Sequence, residues 1–176
     1  VLSAPYMPEI AGMKKFRGES FHSFDWPHKA VDLKRRVGVI GTGATGIQII
    51  AEIADKVDEL YVFQRRPNWS IPLNNSKISK QEMQDIRSRY DEILEICAQS
   101  QGGFVHLPDR RGFELTSEEG RRALWDELYD RPGFALLLAN FPETFLEAGA
   151  NQDLSEYVAE RIRQRVDDPV TAEKLI

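Results

Sequence analysis

Apolar residues along the chain change their spacing twice. Residues 1–30 carry Pro5, Pro8, Gly12, Gly18 and Pro27 among apolar side chains of no regular period, the pattern of an extended connecting segment. RVGVI at 36–40 is a β-branched run that predicts a strand, and it leads straight into GTGATG at 41–46. Beyond the glycines, Ile47, Ile50, Ala51 and Ala54 fall at helical spacing, and LYVFQ at 60–64 is again a run of strand length. Strand, tight turn, helix and strand make a βαβ unit, with enough chain between the strands for a right-handed crossover to a parallel neighbour.

From about residue 78 the spacing is helical. Met83, Ile86, Tyr90, Ile93 and Cys97 form one stripe and predict one amphipathic helix. Thr116 with Glu119 is a candidate capping box for a helix through Leu124 and Leu128. Asn151 or Asp153 is a candidate cap for a helix carrying Leu154, Val158, Ile162 and Val166. Asp168 before Pro169 marks a stop and the cap of a following helix. The expected fold class is therefore α/β: a partial Rossmann-like dinucleotide-binding βαβ unit, then a mainly α-helical insertion. Its expected divisions are an extended interdomain linker at 1–30, the first part of the nucleotide domain at 31–75 and the insertion at 76–176. A doubly wound nucleotide domain needs more strands than the two found, so the sequence is expected to be a piece of a longer protein.

Composition narrows the partners. With 23 basic and 28 acidic residues the formal charge is −5, which argues against nucleic acid or anionic lipid as a partner. The longest apolar stretch, FALLLANF at 134–141, is under half the ~20 residues that cross a bilayer, and no leader pattern opens the sequence, so a cytoplasmic protein is expected. Cys97 is the only cysteine, which excludes an intramolecular disulfide, and its place on a helix stripe predicts a buried small hydrophobe. His22, His28 and His106 have no metal-ligand spacing, and no metal site is expected.

The chemistry lies in the glycine loop. Gly41 permits the turn out of the strand, Gly43 lets the backbone approach a pyrophosphate, and Gly46 lets the helix pack on the sheet. Backbone amides at the helix start then face the phosphate charge. The second strand runs into Gln64, Arg65 and Arg66, where a dinucleotide with a free ribose 2′-hydroxyl is usually met by Asp or Glu. Arginine suits a 2′-phosphate, whose oxygens its planar fork can bond in pairs, so the expected cofactor is NADP(H). Glu59 precedes the strand and is poorly placed to hold a ribose.

Upstream of the loop stands FRGESFHSFDWP, with Phe16, Gly18, His22, Trp26 and Pro27. This spacing resembles the fingerprint of the flavin-dependent Baeyer–Villiger monooxygenases, Phe-x-Gly-x-x-x-His-x-x-x-Trp followed by Pro or Asp, shortly before the second of two dinucleotide loops. The resemblance implies a parent enzyme that uses FAD, NADPH and molecular oxygen to insert oxygen next to a ketone carbonyl, giving an ester or lactone. It implies an FAD domain covalently continuous with this chain and no catalytic residue within it. The fragment alone would be inactive. It further implies cofactor contacts by Gly41, Thr42, Gly43, Ala44, Thr45, Gly46, Gln48, Arg65 and Arg66, and a hinge role for Phe16, Gly18, His22, Trp26 and Pro27. Arg66 stands where the family usually has threonine. N- or S-oxidising flavin monooxygenases resemble this region but usually lack the Trp-Pro ending. A stand-alone NADP-binding module and a simple dehydrogenase remain the other readings.

Overall fold

The structure is a computed structural model that describes residues 4–100 and 102–176. The chain divides into two compact units, Val1–Asn68 and Trp69–Ile176.

In the first unit, short 3-10 turns at Met13–Lys15 and Ser23–Asp25 interrupt an extended segment. Strand β1 (Arg36–Ile40), helix α1 (Ala44–Ile53) and strand β2 (Glu59–Phe63) follow. The strands pair in parallel, from Arg36 opposite Glu59 to Ile40 opposite Phe63. Backbone bonds extend the ladder at both ends: Asp58 N–H donates to the Arg35 carbonyl at 3.1 Å, and Gly41 N–H to the Phe63 carbonyl at 2.8 Å. The second strand thus begins one residue before the LYVFQ run and releases Gln64.

Helix α1 turns inward only part of the face expected, Ile47 and Ile50 being half-buried. Ile53 is buried, while Ala51 and Ala54 are exposed; Ala54 is the helix's C-cap. The covered face runs through Gly46, Ile50 and Ile53, one turn apart on the cylinder. Only Thr42 and Ile53 are buried among the described residues of this unit.

The second unit is helical: α2 (Lys80–Ser88), α3 (Tyr90–Gln99), α4 (Glu118–Asp130), α5 (Ala135–Leu138), α6 (Glu143–Leu146), α7 (Ala148–Arg165) and α8 (Pro169–Glu173). Its core gathers Phe113, Trp125, Leu128, Leu136, Phe141, Leu154, Tyr157 and Val158. A buried polar cluster sits within it. Asn140 Oδ1 accepts from Trp125 Nε1 at 2.9 Å and from Phe141 N–H at 2.8 Å, and Thr144 Oγ1 donates to the Phe141 carbonyl at 2.7 Å. Buried groups of this kind need their partners, so the cluster fixes the turn between α5 and α6.

Four expectations are corrected here. The stripe from Met83 to Cys97 is two helices, broken at Arg89 (φ −117°, ψ 17°), whose guanidinium grips Glu92 at 2.8 and 2.7 Å. Tyr90 is exposed and Cys97 only half-buried, because short separate helices cover less of that stripe. The cap of α4 is Ser117, which accepts from Gly120 N–H, since the Thr116 hydroxyl is spent on the Gly112 carbonyl at 2.8 Å. Helix α7 starts at Ala148, so Asn151 and Asp153 lie inside it; Asn151 donates to the Thr144 carbonyl and Asp153 pairs with Arg121. The Asp168 cap is present, accepting from Thr171 N–H with Pro169 in the first turn.

Candidate functional site

The glycine loop joins β1 to α1 in a shape that the sequence alone explains in part. Gly41 has φ +99°, in the left-handed region that disfavours any side chain. A Cβ on Gly46 would lie 2.3 Å from the Gly41 carbonyl oxygen, so the helix start sits directly against the strand end. Gly43 differs from both. Its backbone (φ −67°, ψ 176°) is open to any residue, and a Cβ there would meet nothing within 4 Å. The chain itself makes no demand for glycine at this position; the open space before it does, if a ligand's backbone-hugging group occupies it.

The same space faces the start of α1. Gly43 is the N-cap and no side chain caps the helix. The first helical bond is Ile47 N–H to the Gly43 carbonyl at 2.9 Å, which leaves the amides of Ala44, Thr45 and Gly46 without helical acceptors. Three donors at the positive end of a helix dipole fit an anionic diphosphate. Ala44, Thr45 and Gln48 are exposed.

Thr42 is buried, and its Oγ1 donates to the Arg66 carbonyl at 3.3 Å. This bond brings the arginine turn beside the loop. Arg65 and Arg66 are exposed, and neither is ion-paired among the described residues. Glu59 begins β2 at the end far from the loop, beside Tyr61, whose pKa its carboxylate raises. The chain leaving the loop end of β2 carries the two arginines, which complement a phosphate.

The fingerprint residues form a strap tied mainly to itself. The Phe16 ring lies over Gly18, where a Cβ would come within 2.6 Å of it. His22 caps the turn that follows: its Nδ1 accepts from Phe24 N–H at 3.0 Å, and its carbonyl accepts from Asp25 N–H at 2.9 Å. Trp26 meets Phe21 edge to face, with centroids 5.1 Å apart, and Pro27 after it is half-buried. Glu19 and Lys29 close the strap with an ion pair of 2.9 Å. The His22 ring thus holds the backbone at the start of this turn.

One feature of the helical unit leaves no trace in the sequence pattern. A cavity of about 280 Å³ is lined by His106, Pro108, Leu137, Leu138, Asn140 and Phe145. Burial, aided by the charge of Arg131, holds the His106 imidazole below its ordinary pKa. A lone histidine with no motif around it carries no signal of this kind.

Comparison with known proteins adds the family. The flavin-binding monooxygenase-like family model matches residues 2–97, more than half of the chain. The chain belongs to the flavin-binding monooxygenase-like family. This flavin-binding monooxygenase-like chain is 49% identical over 182 residues to the 2-oxo-Delta(3)-4,5,5-trimethylcyclopentenylacetyl-CoA monooxygenase of Pseudomonas putida, covering 99% of the chain and 33% of that protein. It is 37% identical over 177 residues to the acetone monooxygenase (methyl acetate-forming) of Gordonia sp. strain TY-5, covering 100% and 33%. The crystal structure of OTEMO in complex with FAD and NADP matches with a TM-score of 0.93 at 49% identity, over 99% of this chain and 34% of that one. The resemblance drawn from the fingerprint is borne out, since the close relatives are Baeyer–Villiger monooxygenases. The flavin-binding monooxygenase-like chain spans about a third of the length of the curated relatives it matches. No helix of the described residues is long and apolar enough to cross a membrane.

Proposed function

We propose that this chain is the NADP-binding portion of a flavin-dependent Baeyer–Villiger monooxygenase, acting in the cytoplasm on a small ketone with molecular oxygen, and continuous with an FAD domain outside the residues described. In this reading β1, α1 and β2 are the first part of a Rossmann-like domain, residues 1–30 the linker and 76–176 the helical insertion. The observation that carries it is the open side of Gly43 facing uncapped amides, with an arginine turn bonded alongside.

Each residue then has a task. Gly43 leaves room for the diphosphate, and the amides of Ala44, Thr45 and Gly46 donate to it. Gly41 and Gly46 hold the loop tight enough to bring those amides together. Arg65 offers its fork to the 2′-phosphate, with the Arg66 charge beside it, and Gln48 presents an amide on the exposed face of α1. When bound, NADPH supplies hydride to FAD, which with oxygen supplies the inserted atom. Phe16, Gly18, His22, Trp26 and Pro27 shape the strap that positions the nucleotide domain during turnover.

The test uses the full-length protein with FAD, NADPH, oxygen and a panel of small ketones, products being analysed by mass. A product heavier by one oxygen atom that hydrolyses as an ester or lactone supports the proposal. Oxides formed only from amines or sulfides would replace it with an N- or S-oxidising activity, and NADPH binding without any oxidation would leave a binding module.

A further inference from the structure

We infer that Thr42 is a positioning residue for nucleotide selectivity: its hydroxyl fixes the Arg65–Arg66 turn at a set distance from the glycine loop. The inference rests on the NADP reading above and concerns how the site distinguishes a 2′-phosphate. Thr42 stands inside GTGATG, where a side chain would be expected to point at the ligand or at solvent. It does neither. It is one of two buried residues among those described in its unit, and its Oγ1 reaches the Arg66 carbonyl at 3.3 Å.

The neighbouring backbone supplies the second half of the argument. Gly41 N–H donates to the Phe63 carbonyl at 2.8 Å. Two consecutive loop residues therefore bond to two carbonyls of the β2 tail, and Gln64 and Arg65 lie in the span those bonds close. The loop that would bind the diphosphate and the turn that would bind the 2′-phosphate are pinned to each other at both ends of that span. A bidentate arginine bond to phosphate needs its fork held in place, so slack in the turn weakens NADP more than NAD. The Thr42 bond is longer than a typical hydroxyl bond, which sets its effect at the modest end.

The experiment titrates NADP⁺ and NAD⁺ separately into the full-length, FAD-loaded protein and reads Kd without turnover. Thr42→Val keeps the shape of the side chain and removes the donor. It should raise the Kd for NADP⁺ by roughly three- to tenfold, leave that for NAD⁺ and the FAD content unchanged, and be rescued by Thr42→Ser. Thr42→Ala, which removes the hydroxyl and a methyl together, must shift the NADP⁺ to NAD⁺ ratio in the same direction. Placed on an Arg65→Ala background, Thr42→Val should add little further loss, because its target is gone. Equal losses for both nucleotides, or none for either, would overturn the inference. The Arg65→Ala control separates the two levels. If it weakens NADP⁺ and NAD⁺ alike, the 2′-phosphate reading itself fails; if it is selective while Thr42→Val is not, only the role of Thr42 falls.

Discussion

Alanine at Gly46 would place a methyl group 2.3 Å from the Gly41 carbonyl oxygen and 3.1 Å from its carbon. Restoring ordinary contact requires a retreat of about 1 Å. The oxygen cannot supply it, because Gly41 is held at φ +99° with its N–H bonded to Phe63. Helix α1 must tilt instead, and it carries the buried Ile53 with it. Overpacking against rigid backbone costs up to about 3 kcal/mol. The better helix propensity of alanine returns about 1 kcal/mol, leaving a net loss of about 2 kcal/mol. Gly43→Ala is the matched contrast, since its Cβ meets nothing within 4 Å. Its stability should stay within about 0.5 kcal/mol of the parent, while the Kd for NADP⁺ rises about tenfold or more because the methyl fills the ligand's space. Hydrogen exchange of the β1 and β2 amides reads this unit alone, and Gly46→Ala should speed it about thirtyfold. Unchanged exchange in Gly46→Ala would refute the close-approach argument, and normal NADP⁺ binding by Gly43→Ala would refute the ligand path.

Three other outcomes are expected. Asn140→Leu strips acceptors from Trp125 Nε1 and Phe141 N–H together and should lower the stability of the helical unit by about 2–4 kcal/mol in urea unfolding; a loss below about 1 kcal/mol would show that the cluster does not hold the α5–α6 turn. His22→Ala should slow turnover with FAD still bound, whereas His22→Asn, whose side-chain oxygen can also accept from Phe24 N–H, should retain most of it; equal rates for the two would contradict the capping role. The lowered pKa of His106 means that the unfolded chain takes up the proton more readily than the folded one. Its contribution to stability is therefore present above the ordinary value of about 6.5 and is lost as pH falls through the folded value. Urea midpoints of His106→Gln should fall less on acidification from about pH 8 to about pH 5 than those of the parent, and parallel profiles would reject that account.

The glycine loop and β1 were legible because their signals are local: a β-branched run stops at a residue with positive φ, and no other side chain tolerates that turn. The break at Arg89 was not, because a one-residue kink leaves the stripe Met83, Ile86, Ile93 in phase on either side. Capping at Ser117 over Thr116 turned on a third residue, Gly112, whose carbonyl takes the threonine hydroxyl. The start of α7 at Ala148 was hidden because Ala148 and Ala150 have no cap signature, yet Ala150 is buried in the core. In the candidate site, the glycines and arginines were visible as residue types. The bond from Thr42 to Arg66 spans 24 positions and has no sequence signature at all.

Thr42 and Ile53 are all that the described residues of the first unit bury, beneath a ladder of five strand pairs. In the proposed reading a nucleotide at the glycine loop binds the folded form of this segment and so stabilises it. A ligand present at a hundred times its Kd adds about 2.7 kcal/mol, comparable to burying one large aliphatic side chain. In that reading the concentration of nucleotide around the protein becomes part of the segment's folding equilibrium.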